Sequence, residues 1–192
     1  MQNGVKMKFS SKLIKKQAPI EYIIYSAIIL GGIFIDQLTK YLVSSFMVLG
    51  QTIPLINDFL NITYIANDGA AFGSMDGEVG RFVFMTVSTV MIAALSLYLF
   101  LGHAENRLYG ISTAMIVSGG IGNMIDRLGF GFYVNPQTGV GEVVDFIDFC
   151  GIWNYVFNGA DSFVCVGAGL LILALILDIV KEAKEKKAGE AK

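Results

Sequence analysis

Four apolar stretches leave this chain few ways to fold. A helix that crosses a bilayer needs about 17 to 25 mostly apolar residues, and residues 21–43, 81–101, 108–127 and 161–180 each meet that length. With 54% hydrophobic against 16% charged residues in a chain of 192, there is too little polar side chain to cover an ordinary water-soluble domain. The sequence therefore reads as an all-α integral membrane protein, one domain of four transmembrane helices. The first apolar run passes through Asp36-Gln37-Leu38-Thr39-Lys40 into Tyr41-Leu42-Val43 with no small-residue cleavage site, so it is an uncleaved helix rather than a signal peptide.

Charge along the chain orients those helices. Residues 1–20 carry Lys6, Lys8, Lys12, Lys15 and Lys16 and no acid, the short link 102–107 ends in Arg107, and the tail 181–192 is rich in lysine. The two long links, 44–80 and 128–160, contain no Lys or Arg. Basic residues favour the cytoplasmic side, which places both termini and the short link in the cytoplasm and the long links outside. In the first long link, Leu60-Asn61-Ile62-Thr63-Tyr64-Ile65 alternates as a strand does, so a small extracytoplasmic β element is expected. The link ends in Asn67-Asp68-Gly69-Ala70-Ala71-Phe72-Gly73, whose small residues would let backbone approach another group closely.

This topology carries the polar residues of the helices to one level. Asp36 and Lys40 come late in the first helix, Asn123, Asp126 and Arg127 late in the third, and Asp161 opens the fourth. All reach the outer boundary of the membrane. Gly119, Gly122, Asn123 and Asp126 share one face of the third helix by their spacing. Asp36 and Lys40, four residues apart, can pair and lower each other's desolvation cost. Asp145 lies in the apolar run Val143-Val144-Asp145-Phe146-Ile147.

Each position has a plainer reading. Asp161 can be the N-cap of the fourth helix, Arg127 an interfacial anchor with Asp126 as its partner, Asp148 a solvated loop acid, and Cys150 and Cys165 isolated buried thiols. Small-residue packing at Gly167 and Gly169 would suit a purely structural subunit. Four acids, two asparagines and an arginine at one depth nevertheless point to a site.

The chemistry open to such a site is narrow. His103, the one histidine, falls in the short cytoplasmic link, so no serine or cysteine has an imidazole to activate it, and there is no H-E-x-x-H for a zinc peptidase. Two aspartates within hydrogen-bonding distance share a proton, and their titrations split. The ionised one can activate water while the protonated one donates to a carbonyl. That is aspartic peptidase chemistry. The alternative is a small ion- or proton-coupled membrane carrier, but carriers gather such groups near the bilayer midplane and often carry an internal repeat. No repeat is visible, and nothing suggests a nucleic-acid partner.

Five motifs in order now carry a resemblance: Asp36-Gln37-Leu38-Thr39-Lys40, Asn67-Asp68-Gly69-Ala70-Ala71-Phe72, Gly122-Asn123-Met124-Ile125-Asp126-Arg127, Val143-Val144-Asp145-Phe146 and Phe157-Asn158-Gly159-Ala160-Asp161-Ser162. Across nearly the whole chain the sequence resembles the bacterial lipoprotein signal peptidases, or signal peptidases II. The resemblance implies an aspartic endopeptidase of the bacterial cytoplasmic membrane. Such an enzyme removes signal peptides from prolipoproteins by cutting before a diacylglyceryl-modified cysteine. It implies Asp145 and Asp161 as the catalytic dyad, with Asp36, Lys40, Asn67, Gly69, Asn123, Asp126, Arg127 and Asn158 lining or supporting the site. It further implies inhibition by globomycin and no metal or organic cofactor; a monomer is expected. The positive end of the fourth helix would favour charge on Asp161, leaving the proton on Asp145. The sequence departs from the family pattern at Ala66, where a basic residue is common, and in the longer link from Leu128 to Val144, which reads as an inserted hairpin or loop.

Overall fold

The computed structural model describes residues 17–69, 78–104 and 106–190. The basic segment 1–16 and the small residues 70–73 singled out above lie outside the described residues. In order, the elements are α1 (Pro19–Phe46), β1 (Thr52–Ile56), β2 (Leu60–Asn67), α2 (Glu78–Phe100), α3 (Arg107–Arg127), β3 (Val143–Asp148), β4 (Val156–Phe157) and α4 (Gly159–Glu190). All four helices are long and apolar enough to cross a membrane.

Local chemistry fixes the helix starts. Pro19 opens α1, where a missing N–H costs nothing, and the Glu21 carboxylate accepts the Ala18 N–H at 3.1 Å. The Asn106 side chain accepts the N–H groups of Leu108 and Tyr109 at the start of α3. The fourth helix runs past the expected end at residue 180 to Glu190. Residues 181–190, KEAKEKKAGE, are mostly strong helix formers, and Glu182 and Lys186 are spaced as a favourable i, i+4 pair, so the helix has no reason to stop at the membrane boundary.

Helix α3 is the hub, packed against α1, α2 and α4. Its small residues set the spacing. A Cβ on Gly119 would collide with the Ala160 carbonyl of α4, and one on Gly122 with the Asp36 carboxylate of α1. Gly167 lies against the Ser112 carbonyl, whereas Gly169 faces open space; of the two glycines expected to pack, only Gly167 does. The apolar core between the helices is built from Tyr25, Ile29, Leu99, Ala114 and Val117.

The β element draws on both long links, not the first alone. Its four strands run β1-β2-β3-β4, each pair antiparallel. In the central pair Ile65 opposes Asp145 and Asn67 opposes Val143. Val43, Tyr64, Val144 and Phe146 form a second core where the sheet meets the end of α1. The link 128–142 is a hairpin closed by the Val134–Gly141 bridge and the Asn135 N–H to Val140 carbonyl bond.

Under the sheet lies a buried ionic node. The Lys40 ammonium reaches Asp36 at 2.8 Å, Asp126 at 2.7 Å and the Asn123 side-chain oxygen at 2.9 Å, and none of Lys40, Asp36 and Asp126 is more than 1% exposed. The other Asp36 oxygen accepts the Ala160 N–H of α4 at 2.7 Å. One cluster thus ties three helices together. Lys40→Met fills the same space without the charge and leaves two buried carboxylates facing each other; breaking such a cluster costs about 3–5 kcal/mol. The expected outcome is a lower thermal midpoint in detergent, partly recovered when Asp126→Asn accompanies it.

Candidate active site

At the sheet end of the bundle, strand β3 and the first turn of α4 bring Asp145 and Asp161 to the wall of one cavity of about 530 Å³. Asp145 is 1% exposed. One of its oxygens accepts from the Asn67 amide at 2.8 Å and the other from the Asn158 amide at 2.6 Å. Burial pushes its carboxyl up to about 7 and the nearby Asp161 adds to the rise, against the pull of the two amide donors and Lys40.

Asp161 is not the helix cap that its position suggested. Asn158, fully buried, takes that role: its side-chain oxygen accepts the Asp161 N–H at 2.9 Å, while its own N–H donates to Asp161 Oδ2 at 3.1 Å. This reciprocal pair is a capping box. Asp161, third residue of α4, is left with Oδ1 accepting from the Asn123 amide at 2.8 Å. The same Asn158 amide nitrogen that donates to Asp145 also donates to Asn123 at 2.9 Å. The two acids are therefore joined through two asparagines.

The predicted residues separate into two layers. Asn67, Gly69, Asn123 and Arg127 line the cavity with the two acids. Behind them, away from the cavity wall, stand Asp36, Lys40, Asp126 and Asn158, which hold the lining in place. Gly69 has φ +100°, and its N–H closes onto the Asn67 side-chain oxygen at 2.9 Å, a turn that aims the Asn67 amide at Asp145.

Other expectations are corrected by the geometry. Asp126 pairs with Lys40 rather than with Arg127, whose guanidinium instead lies 4.7 Å above the Phe84 ring and touches the Asn123 carbonyl at 3.4 Å. Asp148 is no loop acid: it ends β3, half-buried, and accepts from the Thr63 hydroxyl at 2.8 Å. Neither cysteine is buried, for Cys150 is half-exposed and Cys165 exposed. His103 sits in the turn after α2, its ring stacked on Tyr98 with centroids 6.2 Å apart, well away from the acids. Among the described residues no cluster of three His, Cys, Asp or Glu side chains is arranged to hold a metal.

Two supporting residues escaped the sequence reading. Gln37 donates to Asp36 at 3.1 Å, to the Gly122 carbonyl at 3.2 Å and to Asp126 at 3.3 Å, bracing the ionic node. Its place inside the Asp36–Lys40 motif was the available signal. Arg81 donates to the Arg127 carbonyl at 2.7 Å and the Gly141 carbonyl at 2.8 Å, capping the end of α3, where a cation is favoured. It is the one Lys or Arg between Lys40 and Arg107, and that isolation marks it.

The remainder of the cavity is mostly apolar, running between α2, α3 and α4 past Met91, Leu95 and Val164. A polar head with two acids thus opens into an apolar slot, a shape suited to an amphiphilic chain.

Known proteins share this arrangement of the chain. Residues 28–177 match the family model for signal peptidase (SPase) II. A lipoprotein signal peptidase of Halalkalibacterium halodurans is 37% identical over 167 residues, covering 86% of this chain and 99% of that one. The Fusobacterium nucleatum lipoprotein signal peptidase is 39% identical over 154 residues, 78% of this chain and 84% of its own. Among solved structures, a bacterial membrane enzyme determined at 2.3 Å superposes with a TM-score of 0.67 at 32% identity, covering 81% of this chain and 89% of that one. Matched over most of its length in sequence and in fold, the chain belongs to the signal peptidase II family.

Proposed function

We propose that this peptidase removes signal peptides from prolipoproteins by an aspartic mechanism in which Asp145 and Asp161 act as a pair on the bond before a diacylglyceryl-modified cysteine. The observation that carries the reading is the shared asparagine bridge: Asn158 donates to Asp145 and caps α4 against Asp161, so both acids are fixed at one cavity wall.

In this mechanism Asp145 holds the proton and Asp161 is ionised. Burial keeps Asp145 protonated up to near-neutral pH, and the first turn of a helix favours a carboxylate. Asp161 takes a proton from water as its oxygen attacks the scissile carbonyl carbon, and Asp145 donates its proton to the carbonyl oxygen. On collapse of the tetrahedral diol Asp161 gives its proton to the leaving nitrogen, Asp145 takes one back from a diol hydroxyl, and the C–N bond breaks to release the amine and the acid. The Arg127 guanidinium, held at the cavity by Phe84, serves to hold a substrate carbonyl. The apolar slot accommodates the apolar part of the substrate, and globomycin would compete for the same space.

The proposed orientation follows charge. The basic segment 1–16, the link ending in Arg107 and the lysine-rich residues 181–192 lie in the cytoplasm of a bacterium, with the sheet and the acids at the outer surface of the membrane. There a lipid-modified cysteine keeps its acyl chains in the bilayer while the bond to be cut reaches water. The enzyme works as a monomer, with no metal or organic cofactor.

Two measurements test this. Cleavage of a diacylglyceryl prolipoprotein in detergent is expected to fall on the order of 10³-fold in Asp145→Asn and in Asp161→Asn, with both variants folded; a folded variant near parent activity removes that residue from the mechanism. The pH profile supplies the second. Because the Asp145 pKa is raised to about 7, its proton is present below that pH and lost above it, so kcat/KM falls about tenfold per unit as pH rises beyond it. A profile flat from weakly acid to alkaline pH contradicts the assignment of the proton.

A further inference from the structure

The hairpin between α3 and β3 plays no part in the cavity, yet its sequence is unusual. From Leu128 to Gly141 there is no charged residue, although the segment lies beyond the end of α3, at the sheet end of the helical bundle. Its inner side is accounted for. Tyr133 packs on the core of Val43, Tyr64, Val144 and Phe146, a Cβ on Gly131 would meet the Asp126 carboxylate, and one on Gly141 the Asp126 carbonyl.

Every second residue points the other way. Phe130 is 79% exposed, Phe132 41% and Val134 47%, with Leu128 at 56% beside them. A water-facing loop with three such side chains in a row would be a poor surface. Helix α1 supplies the context. Ile23, Leu30, Phe34 and Tyr41 are all exposed and recur at the spacing of one helical face, the stripe that this membrane-spanning helix turns to lipid. Tyr41 ends that stripe, and the Phe132 ring lies against it with centroids 5.5 Å apart. The outward face of the hairpin is thus continuous with the lipid-facing stripe of α1.

We propose that the hairpin is a membrane-interface anchor: Leu128, Phe130, Phe132 and Val134 lie in the headgroup and upper acyl region of the bilayer, next to the end of α1. Aromatic residues favour that level, and an apolar face laid flat buries about 5–10 Å into the boundary. The tip stays in water. There Asn135 accepts the N–H groups of Gln137 and Thr138 in a turn of exposed polar residues. Arg81, through the Arg127 and Gly141 carbonyls, ties the base of this anchor to the end of α3. The bilayer surface thereby fixes the depth of the helix end that presents Asn123 and Arg127 to the cavity. The inference rests on the membrane-spanning fold and is independent of the chemistry proposed for the acids.

Tryptophan fluorescence tests it directly, since Trp153 is the one tryptophan. In a Trp153→Phe background, Phe130→Trp, Phe132→Trp or Gln137→Trp is placed in the full chain and reconstituted into phosphatidylcholine vesicles, with or without lipid brominated high on the acyl chains. Indoles at 130 and 132 are expected to emit to the blue and to lose at least about half their intensity to the brominated lipid, as groups within the interface do. The indole at 137 should emit as in water and change by less than about a tenth. Water-like, unquenched emission at both 130 and 132 overturns the proposal. So does equal quenching at 130 and 137, which would bury the whole hairpin in lipid.

Discussion

A buried ammonium must have all its N–H bonds taken and its charge matched, and Lys40 meets both demands with Asp36, Asp126 and Asn123. Much of the site depends on this. Were the ammonium absent, two carboxylates with at most 1% exposure would stand together out of water, a costly arrangement. With it present, each partner is oriented for a second task. Asp36 receives the first turn of α4 at Ala160, and Asn123 turns its amide to Asp161. The ionic node is a foundation on which α1, α3 and α4 converge.

Above that foundation the two acids have unlike surroundings. Asp145 comes from the middle of a sheet, and Asp161 from the amino end of a helix, where the helix dipole favours negative charge. A pair of chemically identical groups is thereby made unequal by the fold, as the proposed division into acid and base requires. The asparagines matter for the same reason: Asn67, Asn123 and Asn158 supply amide donors that hold carboxylates without neutralising them. A basic residue in their place would favour charge on both acids.

The helices were legible in the sequence because membrane spanning demands long apolar runs, and Asp36 with Lys40 because helical spacing pairs them. Other features had no such mark. β3 is buried at Val143, Val144, Asp145 and Phe146 alike, so it lacks the alternation that reveals a strand, and its pairing with β2 spans the two long links. The true cap of α4 was hidden because Asn158 and Asp161 both suit a helix start, and only the paired bonds decide between them. The plainer pairing of Asp126 with its sequence neighbour Arg127 fails because the helix turns the two side chains to different neighbours, Asp126 to Lys40 and Arg127 to Phe84. The end of α4 was missed where lysine was read as a topological signal alone; the same residues are also good helix formers.

The capping box of Asn158 and Asp161 makes the site a unit of local stability. A first turn of a helix is where opening fluctuations begin, and here that turn carries one acid while its cap carries a donor to the other. When the turn frays, Asp161 leaves the Asn123 amide and Asp145 loses Asn158 in a single event. In the proposed mechanism the two acids are then assembled or dismantled together, through a single helical turn.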